Sequence, residues 1–386
     1  MDEKIALNVT LKKSHFPDAN SEGFTPKSIS IEKLIFNGDL ENPFLAPRGV
    51  FIVNDMLFVT DTGQNRVFGW KRMPSSSYEK PDLILGQINA KDTSRNSGDT
   101  VTASSLLYPS GIWSDGQKII IADAWNHRVL IWHALPTQFG QAADVVIGQA
   151  DFTSNLPNIH GIGHMPSAQS LNWPYGVSVY DGKLFVADTG NRRVLVYNSI
   201  PDANFAKADL VIGKSSFEER DYDHKDAIWP YAVKLSKEGS LVITDTQYYR
   251  VLFWNKWNDA INTNADHVIG QPDLESSGQN QFGLYPQAHT LSWCYDAIFY
   301  KKGLFVADTG NSRVLWYQNL PSKSGLAADS LVGKEHFLMS SENTMTVFGT
   351  DKTMYWPFSI CADQTIQTLA IADTGNHRIL LHKLLI

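Results

Sequence analysis

The chain has 386 residues, of which 43% are hydrophobic and 19% are charged, and its formal net charge is -7. These values are typical of a folded domain with a large core. The acidic balance argues against a nucleic-acid partner, because Lys and Arg dominate the affinity for phosphates. Two cysteines exclude a disulfide framework. The sequence shows no signal-peptide-like start and no run of about 18 apolar residues, which predicts a cytoplasmic protein with no membrane partner.

Residues 1–27 are polar and contain Pro17, Gly23 and Pro26. Pro and Gly interrupt regular structure, so we predict an N-terminal arm over residues 1–27 and a single repeat domain over residues 28–386. An apolar strand is predicted at residues 31–37. It resembles later segments that end in Gly, such as residues 145–148, and we interpret it as the outermost strand of a blade that lies elsewhere in the chain.

A motif that recurs six times organises the rest of the chain. Each copy is an apolar strand, a tight polar turn and a second apolar strand that begins with Arg. An Asp closes the first strand, an Arg follows five residues later, and successive copies lie 57 to 65 residues apart. The pairs are Asp61 and Arg66, Asp123 and Arg128, Asp188 and Arg193, Asp245 and Arg250, Asp308 and Arg313, and Asp373 and Arg378.

This period predicts a propeller blade with an enlarged loop, since a four-stranded blade needs roughly 40–50 residues. We therefore predict an all-β, six-bladed β-propeller of four-stranded blades. The sixth copy lacks a fourth strand, so the N-terminal strand is expected to complete the last blade and remove the open sheet edge. The long connections should gather on one face, where binding sites are common. These connections are residues 87–107, 150–172, 214–228, 272–292 and 334–355.

The repeats resemble NHL repeats, as the segment from Ala187 to Val194 and its five relatives show. The resemblance covers about residues 30–386 and implies a six-bladed β-propeller. NHL-like propellers include RNA-binding modules, protein-interaction modules, peptidylglycine amidating lyases and strictosidine synthase relatives. The resemblance therefore implies a fold and leaves the function open.

The Asp and Arg of the motif are interpreted as structural. Six equal copies do not provide the single asymmetric site that catalysis needs, whereas an Asp can accept backbone N–H bonds in a turn and pair with an Arg. Two turns depart from the pattern. Trp125 in the second, and Tyr248 and Tyr249 in the fourth, replace small or polar residues and could form a contact surface.

The main candidate site is an aromatic pit at the starts of the innermost strands. Each of these strands begins with Pro or a substitute, and aromatic residues flank that position in most copies. In a closed ring they should converge near the axis, either to fill the channel or to bind a ligand by stacking. Arg48 would suit an anionic group on that ligand. The predicted ligand-binding residues are Arg48, Tyr108, Ser110, Trp173, Tyr175, Trp229, Tyr231, Trp293, Tyr295, Trp356 and Phe358.

Metal and nucleophile chemistry is less well supported by the sequence. His160 and His164 are separated by glycines that disfavour a zinc-binding helix, and a site shared with His289 would need several loops to converge. The resemblance implies metal-binding His residues just after the strand-start Pro in amidating lyases, but this chain has Arg48 and its counterparts there. We therefore predict no metal. Cys294 is interpreted as a buried, inert residue.

Three functional hypotheses remain open. The first is a binding protein that holds a small molecule or peptide segment in the aromatic pit. The second is an enzyme, of lyase or hydrolase type, that uses Arg48 and a Tyr or His in the same pit. The third is a scaffold that docks a protein partner on a rim formed by Trp125, Tyr248 and Tyr249. No cofactor is identified by the sequence.

Overall fold

The computed structural model describes residues 29–386, without the side chains of residues 31, 32 and 99. It contains six four-stranded antiparallel sheets, and these are the blades of a six-bladed β-propeller. The predicted fold class is confirmed. The arm predicted at residues 1–27 lies outside the described residues.

In blades 1 to 5 the strands follow one another in chain order from the axis to the outer edge. Blade 1 contains β2 (Gly49–Val53), β3 (Met56–Asp61), β4 (Arg66–Trp70) and β5 (Leu83–Leu85). Blade 2 contains β6 (Pro109–Ser114), β7 (Ile119–Asp123), β8 (Arg128–Trp132) and β9 (Val145–Ile147). Blade 3 contains β10 (Pro174–Tyr180), β11 (Lys183–Asp188), β12 (Arg193–Tyr197) and β13 (Leu210–Ile212).

Blade 4 contains β14 (Pro230–Leu235), β15 (Leu241–Asp245), β16 (Arg250–Trp254) and β17 (His267–Ile269). Blade 5 contains β18 (Cys294–Tyr300), β19 (Gly303–Asp308), β20 (Arg313–Tyr317) and β21 (Ser330–Val332). Blade 6 contains β22 (Pro357–Asp363), β23 (Thr368–Asp373), β24 (Arg378–Leu384) and, on its outer edge, β1 (Ser30–Phe36).

Helical structure is limited to short turns. Six 3-10 turns occupy the repeated motif between the second and third strands of the blades: Thr62–Gln64, Ala124–Asn126, Thr189–Asn191, Thr246–Tyr248, Thr309–Asn311 and Thr374–Asn376. Three further 3-10 turns are Trp257–Ile261, Gln279–Phe282 and Glu342–Met345, and α1 is the single turn Asn96–Asp99.

The ring is closed by strand β1, which joins the two ends of the described chain. It pairs antiparallel with β24, with Phe36 opposite Ile379. The buried Phe36 ring packs edge-on against Trp70 of blade 1, with the ring centroids 4.9 Å apart. The N-terminal strand therefore completes blade 6, as predicted, and also fastens it to blade 1.

The hydrophobic core lies between the blades and not within a single central cluster. Each of six buried clusters combines side chains from two neighbouring blades. This arrangement follows from the strands themselves, because a strand buried on both faces can present apolar residues to the blade on either side.

The repeated Asp and Arg form buried ion pairs in all six blades. The Arg Nε to Asp Oδ2 distances are 2.7–2.9 Å. The guanidinium also donates to carbonyls in both long loops beside its blade, as Arg128 does to Thr102 and Phe152. The other Asp oxygen accepts an N–H just before the innermost strand, as Asp123 does from Leu107. The pairs are structural, and they bind the loops to the scaffold.

A threonine next to the Asp connects each of five blades to the following one. Its hydroxyl donates to the carbonyl of the residue that starts the next innermost strand, as Thr189 does to Pro230 at 2.5 Å. The equivalent bonds come from Thr62, Thr246, Thr309 and Thr374. Blade 2 has Ala124 at this position and lacks the hydroxyl.

Replacing Thr189 by Val is expected to lower the free energy of unfolding by about 1–3 kcal/mol, because the buried Pro230 carbonyl would lose its donor. Urea denaturation of the purified protein would measure the change. Thr189→Ser retains the hydroxyl and is the matched control, for which we expect a smaller loss. Equal losses in the two variants would show that the bond contributes nothing.

Candidate functional site

The candidate site lies where the innermost strands begin, on the face that carries the long loops. Two rings of side chains surround the axis there. The lower ring consists of the residues just after the strand-start position: Arg48, Ser110, Tyr175, Tyr231, Tyr295 and Phe358. The upper ring consists of the residues just before it, which are nearer the loops: Ala46, Tyr108, Trp173, Trp229, Trp293 and Trp356.

The lower ring fills most of the channel. Tyr175 stacks on Tyr231 with centroids 4.6 Å apart, and Tyr295 lies 4.1 Å from Phe358. The cavity that remains is about 30 Å³, which is roughly the volume of one water molecule. The structure thus supports filling of the channel at this level, which was one of the two alternatives left open by the sequence.

Glycines allow the lower ring to close. A Cβ atom on Gly111 would lie 2.6 Å from the carbonyl oxygen of Tyr175, and one on Gly176 would lie 2.6 Å from that of Tyr231. Such contacts are too short for any other residue, so the two glycines let adjacent innermost strands approach closely.

The guanidinium of Arg48, a member of the lower ring, contacts side chains of both rings. Its guanidinium carbon is 4.0 Å from the centroid of Phe358 and 4.9 Å from that of Tyr108, and its side chain hydrogen-bonds to Tyr231. None of the ion pairs among residues 29–386 includes Arg48. A guanidinium has five N–H donors, so the site holds a cation whose charge is balanced only by aromatic faces and a hydroxyl.

Burial holds three tyrosines of the site in their protonated form. Burial raises the pKa of Tyr108 to about 12, and burial likewise raises the pKa values of Tyr175 and Tyr295. These phenols are therefore hydrogen-bond donors at neutral pH, and they are poorly suited to act as general bases. Together with Arg48 they make the site a cluster of donors, suited to an acceptor or an anion.

The upper ring is set by a backbone interaction between neighbouring blades. In four junctions the last residue of the repeated turn accepts the N–H of an upper-ring residue in the next blade, as Asn65 does from Tyr108 and His127 from Trp173. The other two acceptors are Ser312 and His377. Five upper-ring residues adopt a positive φ near 50°. Trp229 does not adopt a positive φ. The corresponding turn residue in the preceding blade is Arg192, whose side chain cannot accept a hydrogen bond, and the Trp229 N–H donates to Asp245 instead.

The upper ring is partly open to solvent. Trp293 and Trp356 are 39% and 44% exposed, and Trp173 and Trp229 are half-buried with centroids 6.2 Å apart. Trp125 belongs to the same surface, because it stacks on Tyr108 at 4.6 Å and hydrogen-bonds to Tyr175. The upper ring and Trp125 together form an aromatic surface, here called the mouth, above Arg48.

Known proteins share the repeats and the ring of blades. NHL repeat-containing protein 2 of Bos taurus is 24% identical over 303 residues, which are 73% of this chain and 39% of that protein. This chain thus spans about two fifths of that relative's length. No protein-family model matches the sequence. The six repeated blades and this relative support an NHL-repeat propeller.

Solved structures with this fold are distant in sequence. A structural-genomics protein of unknown function from Bacteroides thetaiotaomicron superposes with a TM-score of 0.55 over 91% of this chain and 75% of that chain, at 10% identity. A catalytically inactive virginiamycin B lyase from Staphylococcus aureus, solved with quinupristin, has a TM-score of 0.46 over 92% of this chain and 99% of that chain, at 10% identity. Nothing about function follows from likeness at this level.

The structure also places the histidines and the cysteine that the sequence singled out. The His160 and His164 rings lie 5.4 Å apart on one loop, and residues 29–386 contain no group of three or more potential metal ligands. Cys294 is buried, and burial raises the pKa of its thiol well above the ordinary value. That thiol donates to the carbonyl of Arg250, as expected of an inert cysteine. No helix in the described part of the chain is long and apolar enough to cross a bilayer.

The rim proposed as a protein-docking surface is divided between two places. Trp125 and Tyr249 lie at the mouth, the latter edge-on to Trp293 with centroids 5.2 Å apart. Tyr248 instead lies over Arg250 and beside His224.

Asp296 lies beside the lower ring, although it was not among the residues predicted there. This residue lines the channel, and its Oδ2 accepts bonds from the Ser359 hydroxyl and the Ile360 N–H, both at 3.0 Å. Its position is occupied by Gly, Ala or Ser in the other blades, and that departure was the available signal.

His127 makes the geometry of the mouth sensitive to pH. Burial lowers the pKa of His127 to about 4, against roughly 6.5 in the unfolded chain. The unfolded state therefore binds more protons between these values, and stability is lost as the pH falls from about 6.5 to 4. His127→Asn should remove this contribution, because Asn65 makes the same bond in blade 1.

From pH 7 to pH 5 the parent protein should lose about 2 kcal/mol more free energy of unfolding than the His127→Asn variant. Urea denaturation at the two pH values would measure the difference. The pKa of His382 is also lowered by burial, but His382 is present in both proteins, so its contribution cancels in the difference. An equal loss in both would contradict the assignment of a neutral, hydrogen-bonded His127.

Proposed function

We propose that this protein is a binding protein whose mouth holds a small molecule or a peptide segment that carries an anionic group and a planar or apolar body. The observation that supports this most directly is Arg48, a cation without a carboxylate partner beneath half-exposed indole rings. Arg pairs well with carboxylates and stacks on aromatic rings. The anion would approach Arg48 and the protonated tyrosines, and the body would lie on the indoles.

The shape of the site indicates how such a ligand binds. Enclosed small-molecule pockets usually have volumes of roughly 300–1,000 Å³, whereas the channel beneath the mouth holds only about 30 Å³. The ligand therefore covers the mouth and does not enter the channel. A partner segment with a free carboxylate would fit this open surface, and so would a flat anion. With two free cysteines, a reducing compartment such as the cytoplasm is part of the proposal.

The proposal can be tested with two probes that differ only in charge. N-acetyltryptophan carries a carboxylate, and N-acetyltryptophanamide is its neutral equivalent. Calorimetric titration of the protein should show that the anion binds more tightly by roughly tenfold or more, the usual contribution of a charged hydrogen bond. Arg48→Gln should abolish this preference. Trp356→Ala should lower the affinity for both probes, because Trp356 provides stacking surface.

Arg48→Lys is the matched control, since it keeps the charge but lacks the planar fork, and it should retain part of the preference. Equal affinity of the parent protein for the two probes, or an unchanged preference in Arg48→Gln, would overturn the proposal. Native mass spectrometry of protein isolated from its own source would then identify the natural ligand. A mass excess would indicate a small molecule, and a copurifying chain that depends on Arg48 would indicate a peptide segment.

A further inference from the structure

Five of the six junctions between blades are filled by one large side chain at the same position. It comes from the end of the long loop and packs against the Gly that ends the outermost strand. At Gly148, for example, Leu171 is so close that an added Cβ would lie 2.4 Å from it. The five residues are Phe44, Leu106, Leu171, Leu291 and Met354, all buried, against Gly38, Gly86, Gly148, Gly270 and Gly333.

The junction between blades 3 and 4 lacks this side chain. The equivalent residue is Ala227. A Cβ on the corresponding Gly213 would meet only the Arg192 carbonyl oxygen, at 3.7 Å. The long loop before blade 4 is also reduced, with residues 214–228 where the other connections have 21 to 23 residues. Both changes remove atoms from the same place.

A third change removes a hydrogen bond from the outer strand of blade 3. In three other blades the middle residue of the outermost strand has a carbonyl that accepts an N–H from the next blade, at 2.9 Å each. The donors are Gly140, Phe205 and Gly325. Blade 4 has the 3-10 turn Trp257–Ile261 in the corresponding connection, and in the described chain β13 receives no such bond.

Together these changes leave a cleft between blades 3 and 4 with a volume of about 770 Å³, within the usual range for small-molecule sites. The apolar part of the lining includes the partly exposed Leu210, Phe217 and Ile261. The floor holds Lys214, whose buried side chain pairs with Asp226 at 3.1 Å. The cleft therefore has an apolar body and a polar opening, the usual composition of a ligand site.

The charge of the opening favours a cation. Three of the four basic residues that line the cleft are already paired, because Arg193 bonds Asp188, Lys214 bonds Asp226, and Lys225 bonds Glu275. Arg192 is the remaining cation. The cleft is also lined by four carboxylates that belong to no ion pair among residues 29–386: Asp209, Glu218, Glu219 and Asp223.

We propose that the cleft between blades 3 and 4 is a second binding site, which accepts an organic cation with an apolar body, such as an arylalkylammonium ion. The body would pack against the apolar lining, in the place that a Leu or Met fills at other junctions. The ammonium group would lie at the opening among the carboxylates. This site is separate from the mouth, and its occupancy does not depend on Arg48.

A matched pair of probes tests the site. 4-Phenylbutylammonium and 4-phenylbutyrate share the apolar body and differ in the sign of the charge. In ligand-observed NMR titrations the parent protein should bind the cation at least tenfold more tightly than the anion. Ala227→Leu restores the side chain found at other junctions and should reduce binding of the cation at least tenfold, without loss of thermal stability, because it fills an existing space.

Glu218→Gln provides a second variant that does not depend on the packing of Leu. It should lower the affinity for the cation severalfold and leave the affinity for the anion unchanged. Glu335 is an exposed residue in the loop after blade 5, and Glu335→Gln should change neither affinity. The proposal is overturned if the parent protein binds neither probe or binds both equally, or if a folded Ala227→Leu retains its affinity for the cation. Should Ala227→Leu fail to fold, an unchanged cation affinity in Glu218→Gln would overturn it.

Discussion

Replacing Arg128 by methionine is expected to lower the free energy of unfolding by about 3–5 kcal/mol, the usual cost of removing one partner from a buried ion pair. Arg128 and Asp123 are fully buried, and their side chains meet at 2.7 Å. The guanidinium also donates to the carbonyls of Phe152, Thr102 and Ser105 at 2.6–2.9 Å. The variant would leave the Asp123 carboxylate and three carbonyls without this donor, and methionine cannot replace it.

An exposed ion pair in the same blade provides the control. Lys118 lies 3.4 Å from Asp115, and both side chains are about one third exposed. Lys118→Met should therefore cost between 0 and about 1 kcal/mol. Urea denaturation of both variants would give the two values. Comparable losses would contradict a structural role for the repeated Asp and Arg, and would reopen the interpretation of these residues as functional groups.

The repeated pairs also explain why the fold was predictable from the sequence. Each blade needs the same turn to hold its loops. The sequence shows this turn as an Asp and an Arg five residues apart, repeated at intervals of 57 to 65 residues. The missing fourth strand of the last copy indicated closure by residues 31–37. The observed strand β1 spans Ser30–Phe36 and pairs with β24. The repeated motif and the closure of the ring could both be predicted because each blade repeats the same interactions.

The site was predictable only in part. The sequence identified which residues approach the axis, and the lower ring does contain Arg48, Ser110, Tyr175, Tyr231, Tyr295 and Phe358. It did not predict how completely they fill the channel, because that depends on ring orientations and on the close approach of strands at Gly111 and Gly176. It also did not predict that Trp125 reaches Tyr175, since this contact joins residues from two blades.

The junction between blades 3 and 4 shows a second limit of prediction from the sequence. The short step between the third and fourth Asp is visible in the sequence. Its consequence, a cleft, appears only when Ala227 is compared with Leu171 and Leu291 at the same place in the fold. Substitutions that are individually ordinary combine there because all of them remove volume from a single junction.

Strand β1 should be as important to stability as the buried ion pairs. Phe36→Ala is expected to lower the free energy of unfolding by about 3–5 kcal/mol, because it removes a fully buried ring and leaves a cavity. Phe36 packs against Phe44 and Trp70 of blade 1, with centroids 5.6 and 4.9 Å away. The variant would therefore weaken the closure of blade 6 and its junction with blade 1 together.

Phe348→Ala is the matched control, since Phe348 is 82% exposed and its removal should change stability by less than about 0.5 kcal/mol. Hydrogen exchange would locate the effect. In Phe36→Ala the amides of β1 and β24 should lose protection before those of blades 3 and 4, because local openings begin where packing is weakest. An unchanged unfolding midpoint would show that β1 does not hold the ring closed. Uniform loss of protection would show that the ring opens as a whole and has no preferred seam at blade 6.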